Sequence, residues 1–455
     1  MAGAAGCAGI AQASSVESYP AFLVLSVICL GAALVTKAMH GDWSAVLFFL
    51  PFLYTQLTSV GGAAIAERGL YLDEFETITF FTGAAGRLLL LIAVMAVGFQ
   101  IGWWLAGRGG NPAGGAPIPR AVSVWWLLLP AAYVVISVLE IVRYGTAIGQ
   151  ATDRFDYAAA KSLDLTRILV TWPLMFMLIA FVAANRWGQI RIRWICLGLG
   201  LAGIGRMVLV GNKFSAIVAA AIFVFLVWEA VQSTRMKWKI RAGMYFVVGL
   251  LALPAIGALV VYHYNNISGY FSASGEVREQ VLNRIAAQGG VWWVTDHEVI
   301  FNQTRLGAEH FSRQLAATWG VAEERSGLEF MSSFSTTRDL TKQFSVGSAF
   351  TMAYPAIVLL NLGWVSGATV VLLIAAYAGW IGNQLHKAAS SGNTLLFLLW
   401  GRLFYLIWVT CSTGDIQDLL GVKFLANLGG ALALQWLVRS TKKARFTPVA
   451  ASAKA

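Results

Sequence analysis

Charge is what this sequence has least of. Only 12% of its 455 residues are Asp, Glu, Lys or Arg, whereas 58% are hydrophobic and the mean hydropathy is +0.67. A soluble domain needs about a quarter of its residues charged, so a soluble globular protein is excluded and a polytopic membrane protein is implied. Cysteine is as scarce. Cys7, Cys29, Cys196 and Cys411 are the only four, and three of them fall inside apolar runs, which argues against a disulfide framework or a thiolate metal site. The five histidines, His40, His263, His297, His310 and His386, are too scattered to supply a metal centre, so neither metal nor cofactor is expected. No basic stretch precedes the first apolar run and no small-residue cleavage site follows it, so residues 19–36 read as a retained helix. Repeats of 20 to 50 residues and inverted repeats are also missing, which argues against a solenoid and against many transporter folds.

Long apolar runs are abundant. Runs able to cross about 30 Å of hydrocarbon lie near 19–37, 43–66, 77–105, 121–142, 165–184, 194–211, 214–232, 242–264, 364–385, 394–412 and 418–438, which predicts about eleven membrane-spanning helices in an all-α chain. Three basic clusters orient them: Arg186, Arg191 and Arg193; Arg235, Lys237, Lys239 and Arg241; and Arg439, Lys442, Lys443 and Arg445. The positive-inside rule places all three in the cytoplasm, with the N-terminus outside and the C-terminus inside. Four regions follow: N-terminal helices over 1–264, a large external loop over 265–348, C-terminal helices over 349–438 and a basic cytoplasmic tail over 439–455. The net charge of +11 is then a topology signal. Without a basic soluble module, nucleic-acid binding is not expected.

The external loop is the longest polar stretch, and its helical spacing of Val277, Val281, Leu282 and Ile285, then of Phe311, Leu315 and Trp319, predicts amphipathic helices lying on the outer face. Within it, "TDHEV" sets His297 between Asp296 and Glu298. A neutral imidazole beside a carboxylate can take a proton from a hydroxyl near neutral pH, which makes His297 or Glu298 the candidate base; a surface histidine is the plainer reading. "ERGLYLDEFE" at 67–76 gathers Glu67, Asp73, Glu74 and Glu76, either a solvated anionic loop or a metal-binding acidic motif. Asp415 and Asp418 pair most simply with Lys423.

Intramembrane cations carry more information. A charge near the bilayer centre costs at least about 2.5 kcal/mol, so each should pair, snorkel or face a polar cavity. Arg87, Arg206, Arg402 and Lys423 all lie in apolar runs, Arg402 mid-segment, and Glu140 is an acid in a neighbouring segment interior. In "GIGRMVLVGNKFSAIV", Gly211 and Asn212 suit a short external turn, with Arg206 about 1.5 turns below it and Lys213 opening the next helix. Such cations could grip phosphate.

The layout of many helices, a large external loop before the last few and then the tract Asn361, Leu362, Gly363, Trp364, Val365, Ser366, Gly367 resembles the bacterial O-antigen or oligosaccharide repeat-unit polymerases, which are similar in architecture to the O-antigen ligases and to the GT-C type of glycosyltransferase. Gly211, Asn212, Lys213 and Phe214 stand where that family tends to carry a Gly-Ser-Arg-Gly-like turn, with lysine in place of arginine and the second glycine missing. The resemblance implies metal-independent, inverting glycosyl transfer between undecaprenyl-diphosphate-linked oligosaccharides at the periplasmic face of the bacterial inner membrane, with a chain-length regulator and membrane lipids as partners. It places Arg206 and Lys213, with Arg338 and Arg402 as weaker additions, on the diphosphate, and His297 or Glu298 as base. A ligase, a metal-dependent transferase resting on Asp73 and Glu74, and a transporter of the same lipids are the competing readings.

Overall fold

The computed structural model describes residues 19–37, 43–72, 75–108, 122–146, 172–210, 214–232, 277–321, 334 and 354–446. Twelve α-helices are found among them: α1 (Tyr19–Lys37), α2 (Trp43–Ala66), α3 (Ala84–Arg108), α4 (Leu128–Tyr144), α5 (Trp172–Asn185), α6 (Ile190–Leu209), α7 (Phe214–Gln232), α8 (Val277–Ile300), α9 (Ala308–Ala316), α10 (Ala356–Ser391), α11 (Thr394–Thr413) and α12 (Val422–Phe446). Six segments are long and apolar enough to cross a membrane: α2, most of α3, α4 with the turn before it, α6, α10 and α11. Shorter apolar helices fall within α1, α5, α7 and α12. The expected span at 242–264 lies outside the described residues.

Two expectations need correction at their boundaries. The run 77–105 is not one helix: residues 77–78 form strand β2, paired antiparallel with β1 (Tyr71–Leu72), and the helix starts only at Ala84. Its first residues, "TITFFTG", are β-branched and aromatic, which suits a strand as well as a span. The run 364–385 is the interior of a longer element, α10, which is broken at Gly363.

Close backbone approach organises the bundle. Gly98 and Gly102 form a Gly-x-x-x-Gly pair on α3, and a Cβ at either would overlap the carbonyl of Leu372 or Ala376 on α10; a Cβ at Gly379 would overlap Phe99 in turn. Lipid tails are as apolar as leucine, so spans associate by such packing rather than by a hydrophobic drive. Beside this seam Phe48, Phe52, Phe99 and Phe404 interlock, the ring centroids of Phe48 and Phe404 being 5.6 Å apart. Helix α8 uses the same device against α2: a Cβ at Gly62 or Gly289 would overlap the opposing backbone. The expected surface helix is therefore buried along its second half, where Val291, Trp292, Trp293, Thr295, Asp296 and Val299 are all enclosed.

Helix α10 folds back on itself. Gly363 has φ 73° and ψ −174°, a conformation essentially reserved for glycine. Leu359 and Gly367 are eight residues apart, about 12 Å in a straight helix, yet a Cβ on Gly367 would stand 3.1 Å from the Leu359 Cα. Tyr354 donates its hydroxyl to the Val371 carbonyl at 3.4 Å, whereas a straight helix would separate those residues by about 25 Å. The element is thus a hairpin: a short arm ending at Leu362, an apex at Gly363 and a long arm from Trp364. The short arm starts inside the bundle, where Gln56 of α2 donates to the carbonyls of Tyr354 (3.1 Å) and Cys411 (3.4 Å). Non-helical backbone at such a place needs its polar groups satisfied by protein, and this one has them: the Leu360 and Asn361 carbonyls accept from the Leu306 and Gly307 amides at 3.1 and 3.0 Å.

Candidate functional site

The end of α2, the β1–β2 hairpin, the start of α3, the end of α8, α9 and the α10 apex lie at one end of the bundle, here called the loop end. Its framework is an ion pair. The Arg87 guanidinium, in the first turn of α3, meets Asp296 of α8 through two parallel contacts, Nε to Oδ1 at 2.6 Å and Nη2 to Oδ2, and Nη2 also donates to the Thr82 carbonyl at 2.6 Å. Burial pushes the Asp296 carboxyl up and the adjacent guanidinium works against that rise. Trp292 donates to the Ala84 carbonyl at 2.7 Å and Trp293 to the Phe80 carbonyl at 2.9 Å. On the far side of the same turn, Glu67 Oε1 accepts from the Ala84 amide at 2.6 Å and from Thr82, so a carboxylate caps the start of α3. Desolvation nevertheless raises its pKa above the ordinary value.

His297 follows Asp296 and is partly exposed. Its ring lies nearly parallel to Trp293 (5.8 Å, 13°) and Phe301 (5.4 Å, 25°), with the edge of Phe80 against it at 5.2 Å. Its Nδ1 is 3.8 Å from Glu298 Oε1. Glu298 in turn accepts from Asn302 Nδ2 at 2.8 Å and from Thr304 Oγ1 at 2.9 Å, which fixes the turn leading from α8 to the apex.

At the apex three side chains form a directional chain. Asn361 Nδ2 donates to the Ile357 carbonyl at 2.8 Å and to Gln314 Oε1 at 3.0 Å. The Gln314 amide nitrogen must then be the donor toward His310 Nε2, 3.2 Å away. That makes Nε2 the acceptor, and the neutral His310 ring carries its proton on Nδ1. Asn361 and Gln314 are both enclosed. Arg305, which is exposed, lies across Gly363: a Cβ there would stand 2.8 Å from its Nε and 2.9 Å from its Cζ. Asn361 Oδ1 and Trp364 Nε1, on either side of Gly363 in sequence, are buried atoms with no hydrogen-bond partner.

The expected site residues separate. His297 and Glu298 belong to the loop end. Arg206 does not join them: it lies 3.6 Å from Glu140 of α4 with its guanidinium 5.1 Å from the Tyr133 ring centroid, in a helix packed on α4 and α5. Arg402 is on the exposed side of α11 and Lys423 is exposed at the start of α12. Lys213, Arg338, Asp73 and Glu74 lie outside the described residues. Asp296, expected as a carboxylate beside His297, is the partner of Arg87, 209 residues earlier. The sequence marks Asn361 only as part of a motif and His310 only as one of five scattered histidines, and it gives Arg305 and Gln314 no role; the spacing of Gly363 and Gly367 is the available signal. Among the described residues no three His, Cys, Asp or Glu side chains gather as metal ligands.

Fold and site together define a predominantly helical protein that has, among the described residues, six helices long and apolar enough to cross a membrane and a helical hairpin at one end. Residues 322–428, which include that hairpin, match the model of a family of unknown function, DUF6418. No curated protein and no solved structure matches the chain.

Proposed function

We propose that this protein is a glycosyltransferase that polymerises undecaprenyl-diphosphate-linked oligosaccharide repeat units at the periplasmic face of a bacterial inner membrane, in O-antigen or exopolysaccharide synthesis, with a GT-C-like arrangement of about eleven spans and the loop end outward. The observation that carries the reading is that the tract on which the resemblance rests, Asn361 to Gly367, builds the apex of a re-entrant hairpin, with His297, His310 and Arg305 at the same end of the bundle. In the reaction the acceptor hydroxyl oxygen attacks the anomeric carbon of the donor. The bond from that carbon to the diphosphate oxygen breaks with inversion, and the hydroxyl proton passes to His297. Glu298 then faces an imidazolium, and His310, with its proton on Nδ1, serves as a donor rather than a base. Fixed positive charge stabilises the departing diphosphate without a metal.

Purified protein given lipid-linked repeat units should produce a ladder of chain lengths, undiminished by a chelator. His297→Ala should abolish the ladder, while His310→Ala should leave a slower one. A single transfer onto a lipid A core would make the protein a ligase; no transfer at all would end the enzyme reading. The discontinuous helix favours one other reading, a transporter of the same lipids, because such breaks build substrate sites in transporters. Movement of a labelled lipid across proteoliposomes without any change in its glycan would identify that activity.

A further inference from the structure

We propose that the α10 apex binds a phosphate group that has a hydroxyl close by, with Arg305 and the first turn of the long arm taking the anion and Asn361 and Trp364 taking the hydroxyl. Three independent features lead there. In a straight helix the carbonyls of Leu360 and Asn361 would accept from the amides of residues 364 and 365; here they accept from Leu306 and Gly307. The long arm, running from Trp364 to Ser391, therefore opens as a fresh helix N-terminus, and its first-turn amides and dipole favour an anion. Val365 and Ser366 in that turn are exposed.

Arg305 is the second feature. Its guanidinium is held against the one residue of the apex that has no side chain, and a Cβ at Gly363 would occupy that space. Unlike Arg87 and Arg206, it has no carboxylate partner among the described residues. The third feature is the pair of buried atoms without partners: Asn361, 1% exposed, leaves Oδ1 unbonded, and Trp364 leaves Nε1 unbonded. One is an acceptor and the other a donor, and a hydroxyl both donates and accepts. Buried polar groups are ordinarily satisfied, and these two, flanking Gly363 in sequence, are the atoms to which we assign the hydroxyl.

A phosphate beside a hydroxyl is the chemistry of a glycosyl diphosphate, and also of a glycerol phospholipid headgroup. The inference rests on the proposed function only in naming the first as the biological ligand, and it moves the diphosphate from Arg206 and Arg402 to Arg305. Full-length protein in a phosphate-free polyoxyethylene detergent would be titrated with inorganic pyrophosphate, with a short-chain prenyl diphosphate and with short-chain phosphatidylglycerol, following heat and tryptophan fluorescence. Saturable binding of at least one probe is expected, weakened about tenfold or more in Arg305→Gln, as loss of a charge-assisted contact requires, and partly kept in Arg305→Lys. Gly363→Ala should weaken binding too, and a thermal melt of each variant reports whether it is folded. Binding of the diphosphates would identify the lipid-linked donor; binding of phosphatidylglycerol alone would identify a headgroup. If no probe saturates, if Arg305→Gln binds like the parent, or if affinity falls in Arg206→Gln or Arg402→Gln instead, the proposal is overturned. A lower melting temperature in Arg305→Gln with unchanged binding would mean that Arg305 only caps the short arm, which overturns it as well. Binding that persists in a protein unable to polymerise would leave this site standing and remove the enzyme.

Discussion

Two arginines at the loop end have opposite surroundings. Arg87 meets a fully enclosed carboxylate through two parallel contacts and spends a third on a carbonyl. Arg305 lies exposed over the glycine at which the long arm of α10 starts, and it has no carboxylate partner among the described residues. The first arrangement completes itself: Asp296 supplies what the cation needs and closes α8 onto α3. The second is complete only when something else is present. An arginine in an apolar bundle is therefore no pointer to a ligand until its carboxylates have been counted, and Arg206, beside Glu140 and Tyr133, belongs with Arg87 on that count.

The sharpest way to break this contrast is to remove Arg87. Arg87→Met should strand Asp296 as a buried, unpaired charge, a loss of about 3–5 kcal/mol, seen as a large fall in melting temperature or in the yield of monodisperse protein in detergent. Replacing both partners, Arg87→Met with Asp296→Leu, should recover most of it, since a buried pair is seldom worth more than an apolar replacement of similar volume. If the single variant is as stable as the parent, the pair is not what fixes α8. Arg305→Gln, by comparison, should melt close to the parent temperature.

Gly363→Ala comes next. Its φ and ψ lie in a region closed to side chains, and the added Cβ would meet the Arg305 guanidinium. A loss of about 1–3 kcal/mol is expected, and cysteine crosslinking between positions 359 and 367 in this background would report whether the hairpin survives. Retention of both the crosslink and the parent stability would show that the apex does not need glycine.

How much of this could be read from the residues depends on the range of the signal. Apolar runs are local, and the helices of the six spans fall where the runs were, because twenty apolar residues in lipid have one way to satisfy their backbone. Strand β2 is not separable from a span by hydropathy, because "TITFF" is as apolar as a helix start. The burial of α8 was hidden for another reason: its polar residues suggested a surface helix, while the signal for packing was two small glycine patches, Gly61 and Gly62 on α2 and Gly289 and Gly290 on α8, lying more than 200 residues apart. The pairing of Arg87 with Asp296 is equally distant. The hairpin was half legible. The expected span begins at 364, one residue past the break, and the tract Asn361 to Gly367 stands out as a motif; what it does, turning the chain at Gly363 and letting Leu359 pack on Gly367, is a matter of backbone geometry that hydropathy does not carry.

A smaller effect sharpens the place of Arg206. If it is a structural partner, Glu140→Gln and Arg206→Gln should each destabilise the protein, and the double variant should lose less than their sum by about 0.5–1 kcal/mol, the coupling of residues in contact. Polymer length should follow stability in all three. A collapse of chain length in Arg206→Gln at parent stability would return the cation to the site and undo its grouping with Arg87.

The smallest expected effect is at Glu67, and it tests whether the framework side of the loop end relies on charge at all. Burial raises the Glu67 pKa in the folded protein above the ordinary carboxylate value, although hydrogen bonds from Ala84 and Thr82 oppose the rise. The folded state then binds a proton more tightly than the unfolded chain, so this group's contribution to stability is full below the ordinary carboxylate range. It falls as pH climbs toward the raised value and is constant above it. Glu67→Gln keeps an oxygen at the Oε1 position for the Ala84 amide and removes the titration. The variant should melt at or slightly above the parent temperature at pH 7, and that advantage should shrink as the pH is lowered through the carboxylate range. A marked loss at pH 7 would mean that the ionised carboxylate itself holds the first turn of α3 through the helix dipole. The framework around Arg87 would then depend on two anions rather than one.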